Sequence, residues 1–454
     1  MVKDKFFAID LFAGCGGLSE GFKQAGFDVI AQVEMNKWAI ETLRTRQLYY
    51  GLKELNKIHM YHEYVTGRIE REKILKKFKK LEKIISFRAI DIAFKPGNFE
   101  SIFKKIDLSI QFHKVSKVNV LLGGPPCQSF SLVGRSRDPF RMENDERHTL
   151  YKYYLKILEY LKPDFFVFEN VPGLFTAKTN SGNTFEKLLY DLSTLNPSYK
   201  IIPNLDNLHS KPHEYLLNSV DFGIPQRRKR IILIGFREDI EYINPDVKNI
   251  FNLIKKYSIK NRENGCFTVD DAIGDLPILK PGEGNDEWYD YYSSSILKPY
   301  QIEMRKDSYG VLNHKARNHM RSDIERYKFF IEYHKNGNGL ATLKNLKEKR
   351  PDLLPNHKHL DKFLDRFKVQ WWTHPSSTIM AHISKDGHYY IHPGIHQCRS
   401  FTVREAARCQ SFPDNFKFEG PRTEQFKQVG NAVPPLLAKV IGTFIKDELQ
   451  KIYE

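Results

Sequence analysis

The chain of 454 residues is 41% hydrophobic and 13% aromatic, so it can bury a large core and is long enough for more than one domain. That composition excludes an intrinsically disordered chain. Lys and Arg number 71 against 55 Asp and Glu, and the resulting formal charge of +16 indicates a polyanionic partner.

Cysteine usage and hydropathy narrow the class of protein further. The five cysteines are far apart and form no C-x-x-C pair, which indicates neither a disulfide framework nor a zinc site. No apolar run is long enough for a signal peptide or a membrane span. We therefore expect a protein of the reducing cytoplasm that has no membrane partner, with Cys266 and Cys398 as structural or surface thiols.

Short apolar runs recur through the first half of the chain. They begin at Phe6, Val29, Val118, Phe165 and Ile231, and polar or helix-like segments separate them. Near-continuous apolar strands of this kind are typical of a parallel sheet that is buried on both faces. The sequence therefore predicts an α/β fold.

The first of these runs ends in a glycine-rich segment, DLFAGCGGLSEGF. Gly14, Gly16 and Gly17 allow the backbone to pass close to a ligand at a helix N-terminus. A dinucleotide fingerprint would require a third glycine where this chain has Ser19, so NAD is disfavoured. The segment predicts a small-molecule site at the carboxyl end of the strand.

Two acidic residues indicate what kind of molecule binds there. Glu34 closes the second apolar run, and Asp91 follows another short apolar stretch. Carboxylates at these places can accept hydrogen bonds from ribose hydroxyls and from an adenine amino group. Either residue alone is more readily explained as a helix cap or a surface acid. Together with the glycine loop they favour an adenosine-containing cofactor.

A Lys/Glu-rich stretch from Arg44 to Ser86 interrupts the pattern of strands. Its apolar residues, among them Ile74, Leu81 and Ile85, recur at helical spacing. We interpret the stretch as an inserted helix or helix pair. Its lysines could contact DNA, although a solvated helix face is the simpler interpretation.

The segment GGPPCQSFS carries the candidate nucleophile. Pro125 and Pro126 stiffen the loop after the run VNVLL and hold Cys127 at the carboxyl end of that strand. Buried structural cysteines lie within apolar runs instead of behind Gly-Gly-Pro-Pro. The pattern therefore favours a reactive thiol.

The strand pattern fades after residue 240. From about Glu241 to Gln397 the sequence is polar and rich in His and Trp, and it predicts a second, smaller domain. Within it, VQWWTHPSSTIMAHISKDGHYYIHP predicts a hairpin turning at Lys385 to Gly387.

Three histidines in this part have a spacing that suggests metal ligands. Pro393 and Gly394 separate His388, His392 and His396, which excludes a shared helix face, and no second cluster of ligands is present. We expect no metal.

Six sequence blocks follow one another over most of the chain. They are DLFAGCGG, GGPPCQSFS, FENVPG (168–173), PQRRKR (225–230), RSFTVREAARCQSFPD (399–414) and QVGNAVPP (428–435). On these motifs the sequence resembles the DNA (cytosine-5) methyltransferase family. The resemblance implies a Rossmann-like sheet that binds S-adenosyl-L-methionine, a smaller target-recognition domain, and double-stranded DNA as the substrate.

The resemblance also implies roles for four catalytic residues. Cys127 adds to C6 of the target cytosine, Glu169 engages N3 and the exocyclic amine, and Arg228 and Arg230 line the base pocket. The chemistry agrees, because C5 is a poor nucleophile until thiolate addition and a hydrogen bond at N3 convert the ring to an enamine. In the extended segment QRRKR, Gln226, Arg228 and Arg230 share one face, whereas Arg227 and Lys229 face the other way.

The cofactor site follows from the same resemblance, residue by residue. Met35 stands where many relatives have an aromatic side chain against adenine, so we expect altered cofactor affinity more than lost activity. The implied cofactor-binding residues are Phe12, Gly14, Gly16, Glu34, Met35, Asp91, Ile92, Pro126 and Asn431.

A cytosine inside a duplex is out of reach of these groups. It must be extruded into the pocket, and the loop from Gln128 to Arg141 is the expected mobile cover. The implied domains are residues 1–240 for catalysis and cofactor binding, with the helical insertion at 44–86, residues 241–398 for target recognition, and residues 399–454, which return to the catalytic domain.

The function expected from the sequence is sequence-specific methylation of DNA at carbon 5 of cytosine, by the modification enzyme of a restriction-modification system in a prokaryotic cell. Its partners would be DNA and, functionally, a cognate restriction endonuclease, and we expect a monomer. Two alternatives stay open. One is an RNA cytosine-5 methyltransferase on the same scaffold, and the other is a catalytically silent DNA-binding module.

Overall fold

A computed structural model of the chain describes residues 5–95, 97–126, 150–179, 182–202, 212–240, 266–291, 296–337, 339–356 and 364–453. Its architecture is α/β, as the sequence predicts, with a central sheet covered by helices on both faces. The strands within these residues are β1 (Phe7–Leu11), β2 (Asp28–Glu34), β3 (Ala89–Asp91), β4 (Val120–Gly123), β5 (Phe165–Asn170), β6 (Lys178–Thr179), β7 (Gly182–Asn183), β8 (Tyr199–Ile202), β9 (Leu216–Asn218), β10 (Gln226–Arg227), β11 (Lys229–Arg237), β12 (Gly284–Asn285), β13 (Tyr289–Asp290), β14 (Gly310–Val311), β15 (His314–Lys315) and β16 (Ser376–Ser377).

The helices of the same residues range from one and a half to five turns. They are α1 (Gly17–Ala25), α2 (Lys37–Glu54), α3 (Ile58–Val65), α4 (Arg71–Lys77), α5 (Lys79–Arg88), α6 (Phe99–Phe112), α7 (Leu150–Leu161), α8 (Thr184–Ser193), α9 (Val269–Ile273), α10 (Pro299–Arg305), α11 (Arg321–Lys335), α12 (Leu343–Lys349), α13 (Val403–Cys409), α14 (Arg422–Asn431) and α15 (Pro435–Tyr453). None of the helices in the described ranges is long and apolar enough to cross a membrane.

The central sheet has the strand order β3-β2-β1-β4-β5-β11-β8, and β9 pairs with β11. All five apolar runs of the sequence lie in it, in β1, β2, β4, β5 and β11. The first five strands of that order are parallel, whereas β11 runs antiparallel to β5. The expectation of a parallel sheet is therefore wrong at β11, because burial on both faces makes a strand apolar whatever its direction.

Side chains alternate between two hydrophobic cores along the central strands. Phe165 and Val167 of β5 point into the core that contains α1 and α15, and Phe166 and Phe168 point into the core on the opposite face. This alternation is the two-residue period of a strand. Glu169, two residues after Val167, lies on the α1 side.

The stretch predicted as a helical insertion is helical, but it contains more than the expected helix or helix pair. Most of α2 and all of α3 and α4 lie between residues 44 and 86, and α5 ends just beyond it. Ile74, Leu81 and Ile85 are buried in a core of their own, as their spacing predicts, together with Leu312. The break between α4 and α5 falls at Phe78, whose backbone is not helical (φ −121°, ψ 70°).

Residues beyond 266 contribute to two different cores. Phe267, Tyr300 and Val311 pack into the main core on the α1 face. A separate small core is formed by residues from α11, α12 and the segment that follows, including Tyr327, Leu346 and Ile391. Part of the range from about residue 321 to residue 398 therefore has its own hydrophobic centre, whereas Ile379, Ile383 and Tyr390 pack into the main core.

The prediction of a hairpin that turns at Lys385 to Gly387 is wrong. The described residues of that segment form short 3₁₀ turns at Ala381–Ser384 and His388–Tyr390, and Val369 bridges Ile391 in the parallel sense. The segment is held instead by contacts with distant parts of the chain, such as the bond from the Ser376 amide to the Pro225 carbonyl (2.9 Å). These partners have no signature in the local alternation of the sequence.

The C-terminal helix closes the fold against the first helix. A methyl group added to Gly17 at the start of α1 would lie 2.1 Å from the carbonyl oxygen of Val433, just before α15, so only glycine fits there. Arg408 of α13 is fully buried, and its guanidinium contacts both Asp414 and Asp275. The ends of the chain and the segment after residue 266 thus complete one core.

Two buried histidines make the stability of this core dependent on pH. Burial is the main cause that lowers the pKa of His314 to about 4 and that of His392 to about 3. An unfolded histidine binds its proton near pH 6.5, so between pH 6.5 and 4 the unfolded state holds more protons than the folded state. The contribution of these two histidines to the free energy of unfolding is therefore fully present above pH 6.5 and is lost as the pH falls.

We expect the free energy of unfolding to fall by roughly 2 kcal/mol per histidine between pH 7 and pH 5. Urea unfolding followed by tryptophan fluorescence at both pH values measures this, and His314→Gln should show a smaller difference than the wild type. The control is His396→Gln at an exposed position. Equal pH dependence in His314→Gln and the wild type would contradict the assignment.

Candidate active site

Glu169 lies at the carboxyl end of β5, beside the loop that follows β4. Glu169 as a whole is only 9% exposed. A methyl group added to Gly124 in that loop would lie 2.8 Å from Oε2 of Glu169, so the absence of a side chain at Gly124 makes room for the carboxylate. The ends of the two neighbouring parallel strands thus meet around one acidic group.

Arg230 is the cationic partner of this carboxylate. Its Nε donates to Oε1 of Glu169 at 2.9 Å, and both side chains are 12% exposed. In the antiparallel register Ile232 lies opposite Glu169, so Arg230, two residues away on β11, lies on the same face of the sheet. Burial lowers the pKa of the Arg230 guanidinium, and the nearby Glu169 carboxylate opposes that change.

Arg228 has different surroundings from those expected for a pocket residue. It is fully buried, and its terminal nitrogens donate to the backbone carbonyls of Ile379 (2.8 Å), Ala432 (2.9 Å) and Gly430 (3.2 Å). Its Nε has no partner among the described residues. Burial, reinforced by the charge of Arg230, lowers its pKa well below the usual value. The structure brings Arg228 to the backbone around Asn431, while Arg230 contacts Glu169.

The predicted alternation along QRRKR is confirmed. Gln226 and Arg228 are buried and Arg230 is half-buried, whereas Arg227 and Lys229 are exposed. The Gln226 side chain donates to the carbonyl of Cys409 (3.1 Å) and accepts from the amide of Ile379 (2.8 Å). One face of the segment therefore joins parts of the chain that are far apart in sequence.

Asn170 is a residue of this site that the sequence prediction missed. Its Nδ2 donates to the carbonyl of Pro125 at 3.3 Å, and its Oδ1 accepts from the amide of Val171 at 2.8 Å. The side chain therefore ties the end of β5 to the Pro-Pro loop. Its position directly after Glu169 at a strand end was the available signal.

Cys127 and the loop from Gln128 to Arg141 lie outside the described residues. The neighbouring residues are described, with Pro125 buried and Pro126 exposed after β4. The role of the loop as a mobile cover and the role of Cys127 as the nucleophile therefore stay predictions.

The glycine loop after β1 is held by Glu34 at the end of β2. One carboxylate oxygen accepts from the amide of Gly14 (2.8 Å), and the other accepts from the amides of Met35 (2.8 Å) and Asn36 (2.7 Å). Phe12, Gly14 and Gly16 all have positive φ values, of 55°, 55° and 91°. The carboxylate therefore ties the glycine loop, through the Gly14 amide, to the turn between β2 and α2.

Most of the other expected cofactor residues gather along this edge of the sheet. Asp91 of β3 pairs with Glu34 and is exposed, and the amide of Ile92 donates to the Glu34 carbonyl at 3.0 Å. Met35 is 64% exposed beside them. Asn431 is the exposed last residue of α14, two residues before the Val433 carbonyl that contacts α1.

The three histidines with metal-like spacing have separate environments. His388 is hydrogen-bonded to the Tyr327 hydroxyl (2.7 Å), Nδ1 of His392 accepts from the amide of Gly394 (3.0 Å), and His396 is exposed. In the described part of the chain, no group of three or more His, Cys, Asp or Glu residues is arranged to hold a metal ion.

Comparison with known proteins adds to this geometry. The family model for C-5 cytosine-specific DNA methylases matches residues 6–64 and 91–447. The chain belongs to this family. The methylation of DNA at carbon 5 of cytosine is therefore its activity. The family model does not match residues 65–90, and this range includes α4, α5 and the first two residues of β3.

Relatives of the family match along nearly the whole chain. The Type II methyltransferase M.Bpa9945I of Bacillus paralicheniformis is 40% identical over 457 residues, which cover 97% of this chain and 98% of that protein. The Type II methyltransferase M.DdeI of Desulfomicrobium norvegicum is 31% identical over 446 residues, covering 96% and 87%.

A solved structure shows the same fold. It is an E. coli protein described as a DNA modification methyltransferase encoded within a prophage, with a TM-score of 0.62 and 21% identity, covering 98% of this chain and 100% of that chain. The fold of this family member is thus an α/β methyltransferase fold with a mostly parallel sheet.

The buried position of Arg228 predicts a large effect on stability. Arg228→Met removes the donors of three carbonyl groups, and the loss is offset in part because a buried charge disappears. We expect the free energy of unfolding to fall by about 2 kcal/mol. Urea unfolding measures this against Arg227→Ala, a change at the exposed neighbour, which should match the wild type. Wild-type stability of Arg228→Met would show that these bonds contribute little.

Proposed function

We propose that this family member is a sequence-specific DNA (cytosine-5-)-methyltransferase that uses S-adenosyl-L-methionine and serves as the modification enzyme of a restriction-modification system. The observation that carries the proposal is the Glu169–Arg230 pair at the carboxyl ends of β5 and β4, directly beside the Pro125–Pro126 loop that leads to Cys127. An acid and a cation at this sheet edge, with a cysteine next to Pro126 in the sequence, are the groups that activation of cytosine requires.

The residues at the ends of β1, β2 and β3 fit an adenosine-containing methyl donor. Asp91 is an exposed carboxylate beside Glu34, and both can accept from ribose hydroxyls. Phe12 and the exposed Met35 offer apolar surface for an adenine ring. Gly14, Gly16, Ile92, Pro126 and Asn431 would complete the site. When bound, S-adenosyl-L-methionine supplies an electrophilic methyl group.

Side chains of this protein activate the target base. The Sγ of Cys127, as thiolate, forms a bond to C6 of cytosine while Glu169 holds a proton at N3 and accepts from the exocyclic amine. The electron pair of the C5–C6 double bond then makes C5 nucleophilic. After C5 has gained the methyl group, a base removes its proton, the double bond forms again, and the C6–S bond breaks.

The two arginines have distinct tasks in this proposal. Arg230 holds the carboxylate of Glu169 in place through the 2.9 Å contact and offers further N–H donors to the base. Arg228 acts through the backbone that it holds at Ile379, Gly430 and Ala432. It is therefore a positioning residue in this proposal, although the resemblance implies a direct contact with the pocket.

Recognition of the target is assigned to residues 241–398, with the catalytic domain formed by residues 1–240 and 399–454. The separate core of α11 and α12 supports a distinct module in the second half of that range. Segment 376–379 of the assigned range packs Ile379 into the main core and contacts QRRKR, since β16 pairs with β10 and the Thr378 hydroxyl donates to the Arg227 carbonyl (2.6 Å). A target-recognition range that is joined to the catalytic edge in this way suits an enzyme that extrudes its target base.

The names of the relatives support the biological role. Type II methyltransferases match over nearly the whole chain, and a Type II system pairs modification with a restriction endonuclease. It stays a prediction from the sequence that the protein is a monomer, that it has a cognate nuclease and that it works in the cytoplasm of a prokaryotic cell.

Bisulfite sequencing tests the reaction and the target together. Unmethylated genomic DNA is incubated with the protein and S-adenosyl-L-methionine, and methylated cytosines then resist conversion. We expect protected cytosines in one recurring sequence context and none with Cys127→Ser. If the wild type protects no cytosine, DNA methylation by this chain is rejected. Transfer of labelled methyl to RNA would then favour an RNA methyltransferase, and tight DNA binding without transfer would favour a silent module.

Glu169→Gln tests the role of the acid. The amide cannot donate a proton to N3, so we expect kcat to fall by about 100-fold or more, with the protein still folded. Glu186→Gln, at an exposed position on α8, is the matched control and should keep wild-type activity. Single-turnover methylation of an oligonucleotide that contains the target measures both. A rate for Glu169→Gln within a few-fold of the wild type would remove Glu169 from the mechanism.

A further inference from the structure

Phe12 adopts a backbone conformation that needs support from its surroundings. Its φ is 55°, in the left-handed region that a residue with a bulky side chain rarely occupies. It directly follows β1 and precedes the glycine loop, so this conformation decides where its ring points. Its ring stacks on that of Phe94, with centroids 4.0 Å apart and planes inclined by 28°.

Phe94 is well placed to supply this support. It lies in the loop after β3 and is 7% exposed. On another side its ring meets Tyr153 of α7 edge-on, with centroids 5.8 Å apart and planes at 76°. Tyr153 in turn stacks on Phe99 of α6, at 4.3 Å and 8°. The ring of Phe94 is therefore held by Tyr153 of α7, which is held in turn by Phe99 of α6.

The exposed Met35 gives this ring pair a special importance in this chain. Beside Glu34, where an aromatic side chain would offer a flat face to adenine, Met35 offers only a flexible thioether, 64% exposed. Phe12 then supplies the aromatic ring against which adenine can pack at this edge. A ring already held in place loses less conformational freedom when a ligand packs on it.

We propose that Phe94 is a positioning residue of the cofactor site, whose stacked ring holds Phe12 in its left-handed conformation for contact with the adenine ring. This role rests on the proposed function, since it takes S-adenosyl-L-methionine as the ligand. Phe94 itself acts only through Phe12. Its contribution should therefore affect affinity for the cofactor and leave the chemical step unchanged.

The test uses Phe94→Leu, which keeps apolar volume and removes the flat ring. Isothermal titration with S-adenosylhomocysteine should show a dissociation constant raised about three- to tenfold, the range expected for loss of an aromatic pair. In steady-state methylation the KM for S-adenosyl-L-methionine should rise by a similar factor, with kcat at saturating cofactor unchanged. Phe94→Tyr, which keeps the ring face, should restore the wild-type values.

A matched control is provided by a second stacked pair in the same layer. Phe87 of α5 and Phe112 of α6 stack with centroids 4.3 Å apart and planes at 23°, with no aromatic contact to Phe12. Phe112→Leu removes a similar ring contact and should leave cofactor affinity unchanged. If Phe94→Leu does not fold, Phe94→Met, which is better able to fill an irregular gap, replaces it in the same comparison.

The outcomes separate this role from the proposed function. Wild-type affinity in Phe94→Leu would overturn the positioning role while the cofactor assignment stands. An equal loss of affinity in Phe112→Leu would also overturn it, because the effect would then follow from general packing. If the wild-type protein does not bind S-adenosylhomocysteine, the proposed cofactor fails and the role of Phe94 fails with it.

Discussion

The guanidinium of Arg228 joins three segments that are remote in sequence, and the arrangement of the site depends on it. Its donors meet the carbonyls of Ile379, Gly430 and Ala432, and Arg230 on the same face contacts Glu169. A buried charge without a carboxylate partner is costly, so it is tolerated only where several carbonyl dipoles converge. The sheet edge that carries Glu169, the segment around Ile379 and the C-terminal block are thus fixed relative to one another at one point.

A second constraint acts at the carboxyl ends of β1 and β2. The Gly17 backbone approaches the Val433 carbonyl so closely that no side chain fits, which brings the C-terminal block beside the glycine loop. Glu34 binds one amide of the glycine loop and two amides of the turn after β2, and Phe94 stacks on Phe12. A loop that is held by these contacts loses less conformational entropy when a ligand binds.

Within residues 44–86, α4 and α5 lie outside the match of the family model, whereas α2 and most of α3 lie inside it. The family model does not match residues 65–90, and α4 and α5 bury their apolar residues in a core that is separate from the two cores of the sheet. Contact with Leu312 links this core to the segment that follows residue 266. Helices α4 and α5 can be accepted without repacking the sheet, because they pack with α2 and α3 in a core that is filled separately from the two cores of the sheet.

The sequence by itself determined the strands that carry the site, the alternation along Gln226, Arg228 and Arg230, and the six blocks that identify the family. These depend on local periodicity and on short motifs. Only the tertiary structure decided that β11 runs antiparallel, that residues 369–393 form turns instead of a hairpin, that Arg228 binds carbonyls, and that Phe94 stacks on Phe12. Each of these depends on partners from distant segments or neighbouring elements, and the local pattern of a segment does not encode which partners meet in space.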